Sequence, residues 1–285
     1  MEHEKELYKN LKPFLVCKDF TVSQTDFKIG LNEEYQLLAT TPVPEKLGDF
    51  YKSEAYISHT DSNTSVFDKV YQLVRNYTLK QKLNLLNSFQ TEAKTVLDVG
   101  AGTGDFLQFC KANQWRVFGV EPSLDARTIA NKKSITLHET LDDLEDTKFD
   151  VITLWHVLEH VENLAEYIKR LKALLKPKGR IVIAVPNYKS YDAAIYKEFW
   201  AAFDVPRHLW HFSQNSIHKL FGTIHMEVEK TLPMKFDAYY VSLLSEKYKT
   251  GKMNLMKAFY NGFISNRKAR QTSEYSSLIY VIKNC

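Results

Sequence analysis

The residues with the clearest chemical potential form a glycine-rich loop between a strand and a helix. The segment VLDVGAGTGDF carries Gly100, Gly102 and Gly104 directly after a short apolar strand and directly before a helical pattern. Glycine at such a junction lets the backbone approach a bound molecule closely, so the pattern indicates a ligand loop rather than an ordinary tight turn. Glu121 ends the next strand, in VFGVEP, where an acid can accept hydrogen bonds from both hydroxyls of a ribose.

Two classes of ribose-containing ligand fit this loop, and its acids distinguish between them. Dinucleotide sites favour GxGxxG and hold a pyrophosphate at the helix start, but this chain has Asp105 at the position of the third glycine. A zwitterionic amino acid beside a sulfonium cation tolerates Asp98 and Asp105. S-adenosylmethionine (SAM) is such a ligand and is the predicted cofactor, with NAD as the alternative.

A second group of chemically active residues follows a later apolar strand, FDVITLW. His156, Glu159 and His160 lie in WHVLEH, at the strand end where open α/β sheets bind ligands. Transfer of a methyl group from a sulfonium needs alignment and, where the acceptor carries a proton, a base. HVLEH also matches the HxxEH pattern of a zinc peptidase group, but the spacing identifies no third ligand, so we predict no metal.

A third segment, FWAAFDVPRHLWHFS, is dense in aromatic and titratable side chains. Either it forms part of a substrate pocket or it packs as a hydrophobic plug with solvated charges.

Tyr56 and His59 precede the first long helical pattern. They are expected in an ordered connector, with a lid over the cofactor as the alternative.

These segments sit in an alternation of strand and helix patterns that predicts a mostly parallel sheet covered by helices on both faces. The predicted strands are TVLDVG, RVFGVE, SITLHE, FDVITLW, GRIVIAVP, a segment near Met226–Thr231, and SLIYVIK. The predicted domains are an N-terminal extension over 1–64, β-rich at 14–42, a helical cap over 65–92, and a main domain over 93–285 with insertions at 187–212 and about 237–274.

Composition narrows the class of protein. Apolar residues make up 44% of the 285 residues and the net charge is only +4, which favours a globular chain and implies neither DNA nor an acidic surface as partner. The three cysteines, Cys17, Cys110 and Cys285, are too few and too far apart for a disulfide framework, and the N-terminal residues lack an apolar signal. We expect a cytoplasmic protein without a membrane span.

Four ordered segments, VLDVGAGTG, VFGVEPS, FDVITLWHVLEHV and LLKPKGRIVIAVPN, resemble class I SAM-dependent methyltransferases, particularly the branch of ubiquinone-biosynthesis O-methyltransferases. The resemblance covers roughly 94–186 and implies a Rossmann-like α/β fold of seven strands with an antiparallel last strand. It implies that the loop lies along the methionine part of SAM and that Glu121 holds the ribose. The cofactor-binding residues expected on this basis are Asp98, Gly100, Ala101, Gly102, Gly104, Glu121, Pro122, Thr140, Trp155 and His156.

The resemblance also assigns roles beyond the cofactor. It places the aromatic segment over the methyl group, with Trp200, Asp204, Arg207, His208 and His211 expected to contact the acceptor. His156, His160 and His208 are the candidate catalytic residues. In ubiquinone-pathway relatives the comparable motif reads ExxEH and some bind a divalent metal; His156 replaces the first glutamate here.

The predicted function is methyl transfer from SAM to a small-molecule or lipid-like acceptor, with an oxygen nucleophile favoured. An RNA methyltransferase is the nearest alternative, and an NAD-dependent oxidoreductase or a zinc peptidase would follow from the other interpretations above. The stretch 247–270 mixes lysines and arginines with aromatic and methionine residues. It is expected to be a solvated amphipathic helix, with an RNA or membrane-surface contact as the alternative.

Overall fold

The computed structural model describes residues 6–51, 66–91, 93–144 and 147–285, with side chains from residue 72 onward in the second range. Tyr56 and His59 lie outside these residues. The chain divides into two compact units. The glycine-loop unit comprises Tyr56–Leu154 and Leu171–Val182, and the C-terminal unit comprises Met1–Ala55, Trp155–Arg170 and Ile183–Cys285.

The strands follow the apolar runs of the sequence. In chain order they are β1 (Lys12–Lys18), β2 (Asp26–Asn32), β3 (Leu37–Thr41), β4 (Thr95–Val99), β5 (Arg116–Val120), β6 (Phe149–Trp155), β7 (Leu175–Pro186), β8 (Trp210–His211), β9 (Met226–Pro233) and β10 (Ser277–Asn284). The main sheet has the order β5-β4-β6-β7-β10-β9, with β4 parallel to β5 and to β6, and β10 antiparallel to β9. The Rossmann-like α/β class with an antiparallel last strand is therefore confirmed.

The number of strands differs from the prediction. The main sheet has six strands in the described part of the chain, because SITLHE does not form one. Ile135 donates its N–H back to Ala130 at the end of a helix, so the first half of this segment terminates that helix. Only His138 reaches the sheet, as an isolated bridge to Val120.

The helices lie between the strands and mostly follow the helical patterns of the sequence, but no helix was predicted at 191–196 or at 237–246. They are α1 (Val66–Asn87), α2 (Asp105–Ala112), α3 (Leu124–Lys132), α4 (Leu164–Ala173), α5 (Tyr191–Tyr196), α6 (Gln214–Gly222), α7 (Asp237–Thr250) and α8 (Leu255–Thr272). The N-cap residues of α3, α5 and α6 are Ser123, Ser190 and Ser213. Each side chain accepts a hydrogen bond from a backbone N–H of the first turn.

In the glycine-loop unit, the strands are buried because apolar side chains cover both faces. Val96, Leu97 and Ile152 are fully shielded from solvent. The Asp150 carboxylate of β6 accepts hydrogen bonds from the N–H and hydroxyl of Thr95 at 2.8 and 2.6 Å, and from Lys176 at 2.9 Å. These bonds hold the start of β4 against β6.

The C-terminal unit contains a second sheet, in the order β1-β2-β3-β8. Its core combines residues of these strands with α5 and the aromatic segment, including Ile29, Leu38, Tyr196 and Phe203. The buried Asp192 carboxylate accepts hydrogen bonds from Trp200, Ser265 and Ser276, at 2.6 to 2.8 Å. Among the described residues no helix is long and apolar enough to cross a membrane.

Candidate active site

The predicted site residues fall into two groups, one in each unit. In the glycine-loop unit, β4 ends at Val99 and the chain turns through 100–104 before α2 begins. Gly100, Gly102 and Gly104 all have positive φ, of 68°, 53° and 76°. Side chains with a Cβ adopt this region at a cost, so the sequence needs glycine at these positions.

The glycines at 102 and 104 have different surroundings. A Cβ at Gly104 would meet Ala130 Cβ at 3.1 Å and Ile135 Cγ2 at 3.2 Å, so Gly104 lets α2 pack closely against the end of α3. Within the described part of the chain, a Cβ at Gly102 would meet no atom within 4 Å. The loop therefore has open space beside Gly102, which fits a surface that a ligand covers.

Glu121 follows β5 and fixes the shape of the loop. Its Oε2 accepts a hydrogen bond from the Gly102 N–H at 2.9 Å, and its Oε1 accepts one from the Ser123 N–H at 2.9 Å. Each carboxylate oxygen accepts up to two hydrogen bonds, so both oxygens keep acceptor capacity for a further donor such as a ribose hydroxyl.

Asp98 is buried at the end of β4, where its Oδ1 accepts a hydrogen bond from the Thr153 hydroxyl at 2.6 Å. Burial raises the pKa of Asp98 to about 7, and the Thr153 bond and the Lys82 charge offset only part of this shift. Asp98 is therefore a carboxyl group that a nearby cation can ionise at neutral pH.

The charge of Asp105 is compensated by two cations. The Asp105 carboxylate forms ion pairs with Arg75 and, at 2.6 Å, with Lys133. Burial opposes ionisation of Asp105, but the bonds to Lys133 and Arg75 prevail and lower its pKa. Because two cations neutralise Asp105, the repulsion of a pyrophosphate that we expected from it does not exclude a dinucleotide.

Pro122 and Thr140 both lie close to the end of β5. Pro122 follows the strand by two residues, and Thr140 follows by two residues His138, which bridges to Val120. Pro122 precedes α3 and its carbonyl accepts a hydrogen bond from Arg127 at 2.7 Å. Thr140 is exposed, and its hydroxyl accepts a bond from the Asp142 N–H at 3.2 Å. Glu139 forms an ion pair with Arg127 at 2.9 Å.

In the C-terminal unit, His156 lies directly after β6 between two carboxylates. Its Nδ1 is 3.2 Å from Glu159 Oε1 and its Nε2 is 3.1 Å from Asp237 Oδ2. Burial lowers the pKa of His156, but the two carboxylates outweigh it and raise the pKa to about 10. His156 is thus an imidazolium that donates both protons, and a general base needs a free lone pair that this residue lacks.

His160 has the opposite character to His156, and His208 lies beside it. Burial lowers the pKa of His160 to about 4, so the ring is neutral, and its Nδ1 is 3.0 Å from the Arg207 carbonyl and 3.1 Å from the Tyr51 hydroxyl. The Nδ1 of His208 is 2.9 Å from the Ala202 carbonyl. Because a carbonyl only accepts, both rings carry a proton on Nδ1, and the neutral His160 ring leaves its Nε2 as a lone-pair acceptor.

Glu159 completes this group. It is fully buried, and its Oε2 has no hydrogen-bond partner in the described part of the chain. Ligand-type atoms of Glu159, His160 and His208 lie within 4.8 Å of one another, which brings two of the candidate catalytic histidines together. The expected absence of a metal stays a prediction.

The residues expected to contact the acceptor lie deeper than predicted. Arg207 is 3% exposed and binds Asp204 through two nitrogens, with the Phe50 carbonyl accepting a further bond at 3.2 Å. Trp200 is buried and donates to Asp192 at 2.8 Å. These polar atoms already have protein partners, and the expected acceptor contacts of Trp200, Arg207 and Asp204 stay predictions.

His211 is also buried, and its contacts fix its protonation. The Thr40 hydroxyl donates to the His208 carbonyl at 2.7 Å, so its oxygen accepts from His211 Nε2 at 3.0 Å. Burial and the nearby His208 lower the pKa of His211 well below its usual range, so the ring is neutral. His211 therefore packs β8 against β3, and an acceptor contact would need this bond to break.

Sequence reasoning missed several residues that shape these groups. Asp237, Tyr51 and Thr40 each bind a histidine of the site, but they are distant in sequence and their local patterns give no signal. Gly119 was also missed: a Cβ there would lie 2.5 Å from Leu107 and from Leu137. A glycine inside an apolar strand is a recognisable sign of such close packing.

Comparison with known families decides the class of this chain. The family described as methyltransferase domain matches residues 71–230, which is more than half of the chain. This chain belongs to the methyltransferase domain family. The predicted recognition as a class I SAM-dependent methyltransferase is confirmed at the level of the family, and SAM is the cofactor that family uses.

Curated relatives of this methyltransferase include two named ubiquinone biosynthesis O-methyltransferase. The protein from Bradyrhizobium diazoefficiens is 30% identical over 127 residues, which is 40% of this chain and 50% of the relative. The protein from Rickettsia bellii is 25% identical over 192 residues, 61% of this chain and 79% of the relative. The first match thus spans half of its relative's length.

Solved structures show the same fold for this methyltransferase at lower identity. Magnesium protoporphyrin IX methyltransferase from Synechocystis, with bound SAH, has a TM-score of 0.56 and 16% identity, covering 83% of this chain and 97% of that one. A plantazolicin methyltransferase in complex with SAH has a TM-score of 0.51 and 16% identity, covering 84% and 94%. At these identities the likeness establishes the fold alone.

Proposed function

We propose that this methyltransferase transfers the methyl group of SAM to the oxygen of a small-molecule or lipid-like acceptor. The observation that carries the cofactor assignment is the open side of Gly102, in a loop whose shape is held by the Glu121 carboxylate. Bound there, SAM supplies an electrophilic methyl carbon on a sulfonium. In the overall change a bond from acceptor oxygen to carbon forms, the carbon–sulfur bond breaks, and the acceptor proton passes to a base.

The glycine-loop unit supplies the groups that we assign to cofactor binding. Asp98, Gly100, Ala101, Gly102 and Gly104 are proposed to line the methionine part, where the buried Asp98 carboxyl offers a negative charge to a cation. Glu121 is proposed to bind the ribose hydroxyls with its remaining acceptor capacity. Pro122 and Thr140 are proposed to border the adenine, and the assignment of Trp155 and His156 to the cofactor stays a prediction.

The C-terminal unit supplies the proposed base. The neutral His160 ring keeps its Nε2 as a proton acceptor, and a backbone carbonyl bound to Nδ1 orients both His160 and His208. A neutral imidazole that receives an acceptor proton becomes an imidazolium, and the buried Glu159 carboxylate stabilises that charge. His156 is assigned a positioning role, because its proton is held by Glu159 and Asp237.

The acceptor class and the location are also proposals. The curated relatives are named for O-methylation in ubiquinone biosynthesis, which favours an oxygen nucleophile on a hydroxylated aromatic compound. A cytoplasmic location is supported by Cys17, Cys110 and Cys285, which are free thiols. RNA binding that falls steeply with salt, and methylation of that RNA, would instead support the alternative acceptor.

The test separates cofactor binding from proton removal. His160→Asn and His208→Asn are expected to bind SAM with unchanged affinity in calorimetry and to lower turnover at least about a hundredfold on hydroxylated aromatic acceptors, with and without an alkyl tail. His218→Asn, at an exposed histidine on α6, is the matched control and should retain full turnover. Loss of SAM affinity in both site variants would contradict the assignment of these histidines, and tight NAD binding without SAM binding would contradict the cofactor.

A further inference from the structure

The helices α7 and α8 form a hairpin between β9 and β10, to which the proposed reaction assigns a role only at Asp237, the first residue of α7. The side of α8 that faces α7 carries small buried residues, Ala258, Gly262, Ser265 and Ala269. A Cβ at Gly262 would lie 2.8 Å from the Tyr239 ring and 3.0 Å from the Ala238 carbonyl. Close packing against α7 therefore fixes which side of α8 turns outward.

The outward side carries an unusual set of exposed apolar side chains. Met256 is 86% exposed and Phe259 is 65% exposed, and the other members are exposed by about half or more. We call this set the hairpin patch; its members are Met253, Leu255, Met256, Phe259, Tyr260 and Phe263. At 100° per residue, the five members on α8 fall within an arc of roughly 140°, so they form one continuous face.

The chain segment that carries the hairpin patch is basic. Between 247 and 273 the chain has seven basic residues and no acidic one. Lys249 and Lys252 are exposed, and Lys252 and Lys257 line an open groove of about 520 Å³ beside Met253 and Leu255. Lys257 also pairs with the buried Glu246 at 3.2 Å, which fixes it at the edge of the groove. The basic side chains are Lys247, Lys249, Lys252, Lys257, Arg267, Lys268 and Arg270.

We propose that the hairpin patch docks this protein on the surface of an anionic lipid bilayer. Apolar side chains of one helix face would enter the boundary between headgroups and acyl chains, while the flanking lysines bind the negative headgroups. This role requires both observed features at once: large apolar side chains exposed on one face, and a basic border whose acidic neighbour Glu246 is buried.

The same features disfavour two other occupants. A second copy packed symmetrically on this face would bring the basic segment against itself, and the segment has no acid to neutralise the repulsion. RNA would use the basic residues and could stack on aromatic rings, but it gives no reason to expose Met253, Leu255 and Met256. An anionic bilayer accounts for the apolar and the charged residues together.

The test is sedimentation of the full chain with vesicles of phosphatidylcholine alone or mixed with phosphatidylglycerol. We expect the protein to partition at least tenfold more strongly onto the vesicles that contain phosphatidylglycerol than onto those of phosphatidylcholine alone. Added salt should weaken this binding. The double variant Met256→Ser/Phe259→Ser should weaken partitioning at least tenfold. The double variant Lys249→Glu/Lys252→Glu should do the same on phosphatidylglycerol vesicles only.

A matched control removes equal apolar exposure elsewhere. Leu73 and Leu124 are 70% and 68% exposed and lie on α1 and α3, so Leu73→Ser/Leu124→Ser should partition like the unchanged protein. Circular dichroism verifies that each variant is folded. The proposal is overturned if the unchanged protein does not bind phosphatidylglycerol vesicles, or if patch and control variants bind alike. A dimer in light scattering that Met256→Ser dissociates, or RNA binding that only the patch variants lose, would also overturn it.

Discussion

The Gly102 N–H donates a hydrogen bond of 2.9 Å to the Glu121 carboxylate, which adds to the bonds from the Gly100 and Ala101 N–H groups to the Val120 carbonyl in holding the loop after β4 against the end of β5. The same carboxylate also accepts from Ser123, which begins α3. Glu121 therefore joins the loop, the end of β5 and the start of α3. A substitution there should act on loop shape and on ribose binding together.

We expect Glu121→Gln to weaken SAM binding roughly tenfold to a hundredfold, because hydrogen bonds to a charged acceptor contribute about 1.5 to 3 kcal/mol. Calorimetric titration with SAM measures this effect. Glu139→Gln is the matched control, since Glu139 is an exposed glutamate paired with Arg127. Equal affinities for the two variants would remove Glu121 from the proposed site.

Alanine substitutions at Gly102 and Gly104 should separate ligand space from packing space. Both residues have positive φ, so each variant should lose about 1 kcal/mol of unfolding free energy to backbone strain. Gly104→Ala should lose about 1 to 3 kcal/mol more because Ala130 and Ile135 crowd its Cβ. Gly102→Ala should instead show the greater loss of SAM affinity. Denaturant unfolding and calorimetry test the pair, and the reverse pattern would contradict the proposed loop surface.

SAM affinity should depend on pH through Asp98. Burial raises the pKa of Asp98 to about 7 in the free protein, and a bound cation favours the ionised form and lowers that pKa. Binding then releases a proton below the free pKa, so affinity should rise roughly tenfold from about pH 6 to pH 8 and level off above. Calorimetry in buffers of different ionisation enthalpy measures the proton release. Asp98→Asn should abolish this component and Asp125→Asn, at an exposed acid on α3, should preserve it.

The His156 imidazolium should make stability depend on pH. Its folded pKa, about 10, lies above its ordinary value of 6.5, so its stabilising contribution is complete below about pH 6.5 and is lost as pH rises through about 10. Asp237→Asn removes one of its two carboxylates, so the loss should begin at lower pH. Unfolding free energies at several pH values test this. Glu227→Gln, which breaks a surface pair with Lys283, is the control and should leave the profile in place.

Breaking the Arg207–Asp204 pair should destabilise the fold rather than change acceptor affinity alone. Arg207 is almost fully buried, so Arg207→Met leaves the Asp204 carboxylate without its partner and should cost about 3 to 5 kcal/mol. Arg207→Met/Asp204→Asn should recover part of this loss because neither charge then remains. The exposed Arg267→Met serves as control. Unchanged stability with impaired turnover would restore Arg207 as an acceptor contact.

The sequence could reveal a feature only when the residues that form it lie close together along the chain. The loop at 100–104 and Glu121 were identifiable because glycines at a strand end and an acid at the next strand end are short patterns with a physical meaning. The function of His156 was not identifiable from the sequence, since its second partner, Asp237, lies 81 residues away. The strand at SITLHE was mispredicted because its apolar content matches a strand, while its N–H groups serve the end of α3.

The aromatic segment shows a second limit of sequence reasoning. Trp200, Arg207 and His211 have residue types that are common in binding pockets, but the same types also stabilise a core when a buried polar partner is present. Asp192, Asp204 and Thr40 are those partners. Only tertiary structure distinguishes a side chain that faces a ligand from one that faces such a partner.

The hairpin of α7 and α8 joins two strands that are direct antiparallel neighbours, with Pro233 opposite Leu278. A short turn would suffice to connect them, so the register of β9 and β10 does not depend on what lies between. The outer part of this hairpin can therefore change in length or sequence while the strand order persists, provided that Asp237 and Ser265 keep their bonds to His156 and Asp192. Grafting the hairpin onto the matching turn of another member of the family would test whether vesicle binding is transferred with it.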